Sequence, residues 1–502
     1  MNNIFKMKKL LLYSFIIVLF VSTTKIIAQD VKKLTFDEVI KLAEEQSPNA
    51  LMAKHRYRSS YWEFRSYQAQ FRPSLTLSGT VPNYVNGFAN NWNSNTNQYV
   101  YGAINNVTSS GTLSLSQAIG LTSTTFSLQS SLIHLFDFTP NAIVPRQYSI
   151  APVSINITQP IRQYNTLKWQ RKIEPVKYDA AKKTYLANIE AVNISAVQNF
   201  FALALAQINK QIAVMNYSNS DTLYRIAKGR YQLGTIAEDE LLQMQLLWLN
   251  AETATKEADM NLRDREIRLR SFLGYNENVR LELILPTEIP NLQVDMKEVL
   301  DLALQNDPDI LTQQINILNA QSNVAQAKAQ KGLTATLNAS LGLSQKGSDF
   351  YSTLENPSQS QSVNIGFRVP ILDWGRGMGN YRMAQSSLEL TQVQVKQALT
   401  DFQQNLFLDV EQFNLQKNQV EIAALSDTVA QKRYEVTKQR FLIGKIAVLD
   451  LNDADSRKDE NRRAYVQALQ NYWSYFYNIR SLTLFDFITR KPLEVDYDKL
   501  LK

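Results

Sequence analysis

The sequence predicts a membrane protein of mixed α and β class, a duplicated chain with four barrel strands and two pairs of very long helices. Three observations carry this. An export signal opens the chain, the chain repeats itself once, and alternating segments sit between helical patterns too long for a globular domain.

Lys6, Lys8 and Lys9 precede the apolar run 10–21, and Ile26-Ile27-Ala28 follow it. That is the order of a secretory signal peptide (1–28), with cleavage expected after Ala28. As a membrane anchor the run is too short and too interrupted. The 502 residues hold no cysteine, which excludes disulfides, Cys-ligated metals and a lipidated N-terminal Cys. The formal charge is +7, and the signal holds Lys6, Lys8, Lys9 and Lys25 but no acid, so the mature chain carries +3. A value so near neutral argues for no nucleic-acid partner. No later run of eighteen apolar residues exists, so no spanning helix is expected.

The repeat is read from matched residues. Glu38, Val39, Leu42, Ala43 and Pro48 recur as Glu298, Val299, Leu302, Ala303 and Pro308, at an offset of 260. VSINITQPI (153–161) recurs as VNIGFRVPI (363–371), and KGRYQLGTI (228–236) as KQRFLIGKI (438–446), both at an offset of 210. The halves are 29–284 and 292–502, joined by the linker 285–291 with Pro286 and Pro290 as breakers. The first half carries about 50 extra residues, an Asn-, Ser- and Tyr-rich insertion at 83–151 that reads as an exposed loop. Thr112 to Ser116 and Thr124 to Leu132 are candidates for further strands inside it.

Each half then has the same order. A helix is expected at 36–70 and at 296–331. Alternating segments follow near 74–82 and 152–160, and near 333–344 and 361–370. Leu75, Leu77 and Val81 alternate with Thr76, Ser78 and Thr80, and Val363, Ile365 and Phe367 with Ser362, Asn364 and Gly366. Period two gives one apolar and one polar face. The polar faces are small and nearly uncharged, and the segments approach the ~9–11 residues of a membrane-spanning strand. The same alternation fits an ordinary sheet with one face in a soluble core; if the strands span a membrane, four cannot close a barrel, so several chains must share one. Long helical patterns complete each half, 176–232 with 237–273, and 376–442 with 447–480. A helix of about 67 residues is ~100 Å long and implies a coiled-coil or tubular assembly.

The order of elements, occurring twice, resembles the TolC family of outer-membrane efflux channels. The carrying pieces are LTFDEVIKLAEEQSPNA, the strand–proline joints SINITQPI and NIGFRVPILDWGRG, and the tips RYQLGTIAEDELL and RFLIGKIAVLDLNDAD. The resemblance implies a homotrimer with one shared barrel in the outer-membrane bilayer, continued by an α-helical tunnel through the periplasm. It implies as partners a periplasmic adaptor (membrane fusion) protein and an inner-membrane RND-type or ABC-type transporter. It makes the tips, with Arg230, Gly234, Thr235, Arg440, Gly444 and Lys445, the adaptor-binding end. It sets Asp450 and Asp453, three apart on one helix face, in a ring at the periplasmic entrance. Phe441 and Ile446 stand where the family pattern has a Tyr and an Arg in polar links, and neither can replace them. Glu240 stands where an acidic partner is expected.

VPILDWGRGMG (369–379) could suggest a phosphate cradle. Its counterpart QPIRQYNTLKW keeps the Pro-Ile pair but has no glycine. The stretch therefore reads as a strand-to-helix joint, with Pro160 matching Pro370 and Tyr164 matching Trp374. Gly375 offers φ > 0, which Asn165 can also tolerate, and Tyr164 and Trp374 are candidates for an aromatic belt at the inner lipid interface. No hydrolase or nucleotide-binding motif appears, and His55 and His134 are the only histidines, so no enzyme, cofactor or metal is expected. The alternatives are a soluble periplasmic coiled-coil scaffold or adaptor, and a dinucleotide-binding enzyme.

Overall fold

A computed structural model describes residues 31–93, 97–139, 144–275, 279–286, 288–443, 445–446 and 448–501. The signal peptide and Gly444 lie outside the described residues. β1 (Val31–Thr35) leads into α1 (Phe36–Gln46) and α2 (Pro48–Ala69). The Thr35 hydroxyl accepts from the Glu38 N–H, and the Glu38 carboxylate accepts from the Thr35 N–H at 2.8 Å, a reciprocal cap. The single helix expected over 36–70 is thus broken, at Ser47, and the one expected over 296–331 is broken at Asp307. Each precedes a proline, which pushes the residue before it out of the helical region. Both are extended, and each caps the helix that follows.

The sheet runs β2 (Ser74–Asn93), β3 (Gln98–Ile119), β4 (Thr124–Asp137) and β5 (Arg146–Pro160). After the long helices α3 (Thr166–Gln232) and α4 (Glu238–Leu273) come the short strand β6 (Arg280–Ile284), α5 (Met296–Asn306) and α6 (Pro308–Gln330). β7 (Thr334–Gly347), α7 (Phe350–Glu355) and β8 (Ser358–Arg368) return to the sheet. The strand order is β2-β3-β4-β5-β7-β8, antiparallel throughout. Among the described residues six strands therefore stand in this sheet where four were expected, because the insertion extends β2 and β5 and supplies β3 and β4. Its Asn and Ser content read as loop, but these residues alternate with apolar ones and pair across the ladder.

Register sorts the two faces. Leu75, Leu115, Leu128, Ile155 and Leu341 lie opposite one another across five strands and are each between 41% and 65% exposed. The next row is Ser74, Ser116, Ser127, Asn156, Ser340 and Ser362. An exposed apolar face backed by a polar one is the pattern of a lipid-facing barrel wall.

The last long pair is α8 (Arg376–Leu442) and α9 (Val448–Thr483). α3 begins ten residues before its expected start and carries Pro175 inside it. Phe36, Phe200, Phe201, Phe413, Tyr472, Trp473 and Phe476 are buried in one core where α1, α3, α8 and α9 meet. The apolar window of α3 is long enough to cross a membrane by length and composition, but much of it is buried within the chain and it holds Phe200, Phe201 and Leu203 of this core, as a core helix does. β1 pairs in parallel with β6 outside the main sheet.

Candidate functional site

The residues singled out in the sequence fall at two places, the strand-to-helix joints and the helix-hairpin tips. At the second joint Asp373 accepts from the N–H groups of Gly375 (3.0 Å) and Gly377 (2.8 Å). These bonds hold its carboxyl below the usual range. Gly375 lies at φ +84° and opens α8, and Trp374 is at φ +54° with 89% of its surface exposed. Gly377 sits in close approach, since a Cβ there would meet Asp373 Oδ2 at 2.9 Å and the Lys331 Cα at 3.1 Å. Pro370 lies just past β8, while Pro160 ends β5 opposite Thr336.

The first joint works differently. Asn165 sits at φ −95°, so it does not take the left-handed conformation of Gly375. Its side chain caps α3 instead, accepting from the Lys168 N–H at 2.8 Å and donating to the carbonyls of Gly120 and Leu121. Tyr164 is half-buried and hydrogen-bonds Ser322 of α6, which removes its hydroxyl from a free interface position. Only Trp374 of the two aromatics is freely exposed.

At the first tip Gly234 has φ +70°. Its N–H donates to the Tyr231 carbonyl (2.9 Å), and the Thr235 N–H to that of Arg230 (3.0 Å). This is the paired-bond stop of a helix that needs a left-handed residue. At the second tip the Lys445 N–H donates to the Arg440 carbonyl at 3.0 Å, the same outer bond. Phe441, 9% exposed, packs with Tyr434, Leu451 and Ala454, against Leu223 and Ile446. Phe441, Ile446 and Leu449 face Arg230, Glu240 and Met244 across one cleft. Apolar contact thus joins the two hairpins where polar links were missing from the sequence.

Asp450 and Asp453 do share a side of α9, but they are not a bare acidic pair. Arg433 donates to Asp453 at 2.7 Å, and Arg457 lies 3.6 Å from its other oxygen. Asp450 lines a groove with Lys432, Arg433 and Arg440.

The sequence reading passed over a buried polar cluster. Glu190 of α3, 2% exposed, accepts from Arg480 of α9 at 2.8 Å, with Asn193 and Glu44 beside it. Burial pushes the Glu190 carboxyl up to about 7, against the opposing pull of Arg480. Its signal was a lone acid inside the apolar stretch LANIEAVNISAVQNFFALALA. A second cluster joins Lys458 to Asp455 (2.6 Å) and Asp459 (3.3 Å), and Asn216 of α3 donates to Asp459.

The family model for outer membrane efflux proteins matches residues 39–275 and again 299–483, most of both halves. The chain belongs to the outer membrane efflux protein family. It is a channel subunit of the outer membrane that extends into the periplasm, and not an enzyme. The outer membrane channel CmeC of Campylobacter jejuni is similar at 16% identity and a TM-score of 0.64, over 92% of this chain and 88% of that one. The outer membrane protein VceC of Vibrio cholerae is similar at 13% identity and 0.62, over 91% and 97%. The channel OprN is similar at 14% identity and 0.64, over 89% of each chain. No curated protein sequence matches, and at 13% to 16% identity these structural likenesses speak for the fold alone. Neither the soluble scaffold nor the dinucleotide enzyme is favoured by these matches.

Proposed function

We propose that three copies of this chain, exported by a cleaved signal peptide, close one barrel and one periplasmic tunnel. The assembly would release solutes delivered by a periplasmic adaptor and an RND-type or ABC-type inner-membrane transporter. The observation that carries this is a sheet with two open edges, β2 and β8, and one exposed apolar face. Unpaired edges invite another strand, and the β8 edge of one copy meeting the β2 edge of the next closes a ring. The helices support the same partner. Leu408, Leu415, Ile422, Val429 and Val436 of α8 are exposed at seven-residue spacing, and α4 exposes Leu246, Met260 and Ile267 on the same period. Such a repeat is a coiled-coil seam awaiting a neighbouring helix. The tips, with Arg230, Gly234, Thr235, Arg440, Gly444 and Lys445, form the adaptor end, and exposed Leu233 adds an apolar contact. Membrane fractionation and mass measurement in detergent test this. Outer-membrane recovery as a three-chain particle is expected, whereas recovery without detergent in the soluble fraction would return the scaffold reading.

Asp450 and Asp453 belong at the tunnel entrance in this arrangement, with Lys432, Arg433, Arg440 and Arg457 around them. Asp450→Asn with Asp453→Asn should therefore turn the purified channel towards anions, read as the reversal potential across a salt gradient. An unchanged potential would place these acids away from the ion path.

A further inference from the structure

We propose that the inserted β3–β4 hairpin is permanent barrel wall, and that it widens the exit so that the outer membrane is not where cargo size is limited. The inference rests on the three-copy barrel above and adds to it. An insertion of this length could have been an external loop or a plug. Three observations place it in the wall.

The ladder is continuous from β2 through β3 and β4 to β5. Leu115 and Leu128 continue the exposed apolar row of the neighbouring strands, and Ser116 and Ser127 continue the polar row. A plug would have no reason to keep an apolar face in register with lipid-facing strands. The turn between β3 and β4 is also built into the first joint. Asn165 donates to Gly120 and Leu121 at 3.2 and 2.9 Å, and the Gln117 amide donates to the Phe71 carbonyl at 2.7 Å. A Cβ on Gly120 would meet the Phe71 ring at 2.8 Å, so the turn is seated against the end of α2. This turn spans four residues and sits at the helix end of the sheet, where barrels keep their short connections.

The geometry of closure follows. Six strands in each of three copies make eighteen. At ~4.8 Å between strands and a ~40° tilt, eighteen strands close at a radius of roughly 18 Å, and twelve at roughly 12 Å. Four long helices per copy, with axes ~8–10 Å apart, form a ring of roughly 15–19 Å radius. The wider barrel matches that tunnel, and the narrower one would neck it. The cross-section at the exit rises about twofold over a twelve-stranded wall, and barrels of 16–18 strands hold an open aqueous lumen. The row through Ser116 and Ser127 is uncharged, and the same face carries charge at Asp137, Lys346 and Arg368.

The cysteine-free chain makes the test direct. Single cysteines at Leu115, Leu128, Ser116 and Ser127 are labelled with a fluorophore in the assembled protein, reconstituted in vesicles of brominated phosphatidylcholine. Leu77→Cys and Ile365→Cys, on the outer strands of the same sheet, are controls. Leu115→Cys and Leu128→Cys should lose fluorescence to the level of the controls, while Ser116→Cys and Ser127→Cys should stay bright and react with a charged maleimide from water. Bright, water-reactive probes at Leu115 and Leu128 beside quenched controls would overturn the wall. Bright controls would overturn the membrane barrel itself, a separate failure. End-on electron microscopy of the unmodified assembly gives the strand count independently, and twelve strands would also overturn the proposal.

Discussion

Arg480→Met is expected to destabilise the chain by about 3–5 kcal/mol above a pH of about 7, where Glu190 ionises and would be left buried without its partner. Arg480 reaches Glu190 at 2.8 Å and also lies over the Tyr477 ring, tying α9 to α3 at the level of the aromatic core. Glu190→Gln with Arg480→Met should recover much of the loss, since a buried pair replaced by neutral residues is often close to neutral. The same cluster gives a pH dependence. The Glu190 carboxyl is raised from 4.5 to about 7 in the folded chain, so that chain holds a proton the unfolded one releases. Its contribution is complete below pH ~4.5 and is lost as pH rises through about 7, on the order of 3 kcal/mol. Melting followed by helical circular dichroism in detergent should show this slope, and Glu190→Gln should flatten it. An equal slope in Glu190→Gln would assign it to other groups.

Phe441→Ala should loosen the contact between the two hairpin tips by about 2–3 kcal/mol, a large apolar side chain lost from a site at the margin of burial. Each 1.4 kcal/mol is tenfold in an equilibrium. The fraction of time the tips spend apart should thus rise roughly 30- to 140-fold, read as added conductance in a planar bilayer. Phe441→Leu, which keeps most of the apolar volume, should change little. Equal conductance of Phe441→Ala and the parent chain would show that this contact does not hold the entrance.

Much of the architecture was legible in the sequence because its signals are periodic. The long helical patterns ending at Gln232 and Leu442 could be read to the residue, and so could the alternating faces of β5 and β8. The breaks at Ser47 and Asp307 are also local chemistry, since Pro48 and Pro308 announce them, yet the apolar spacing on either side hid them. The inserted strands were harder. Asn and Ser on the polar row look like loop residues until register shows their alternation with Leu113, Leu115 and Leu128. Asn165 escaped a conformational argument because it does with a side-chain cap what Gly375 does with its backbone. The bases around Asp453 come from both arms of the hairpin, Arg433 being 20 residues away, so no helix-face spacing could assign them.

The parallel ribbon of β1 and β6 has a bearing on the order in which the exported chain can fold. Val31 pairs with Arg280 and Thr35 with Ile284, so the first described residues have no strand partner until nearly all of the first repeat has crossed the inner membrane. Once β6 arrives, the Gln207 side chain both donates to the Leu281 carbonyl and accepts from the Leu283 N–H, and Glu266 accepts from the Leu281 N–H. Three outward backbone groups of β6 are thereby taken up by the first repeat's own helices. The ribbon can close before the second repeat has emerged, while β5 waits for β7 and Phe36, Phe200 and Phe201 wait for Phe413, Tyr472 and Trp473. Translocation would then deliver two half-finished units in sequence, with the late joining of β5 to β7 as the step that commits one molecule to becoming a single stave of the channel.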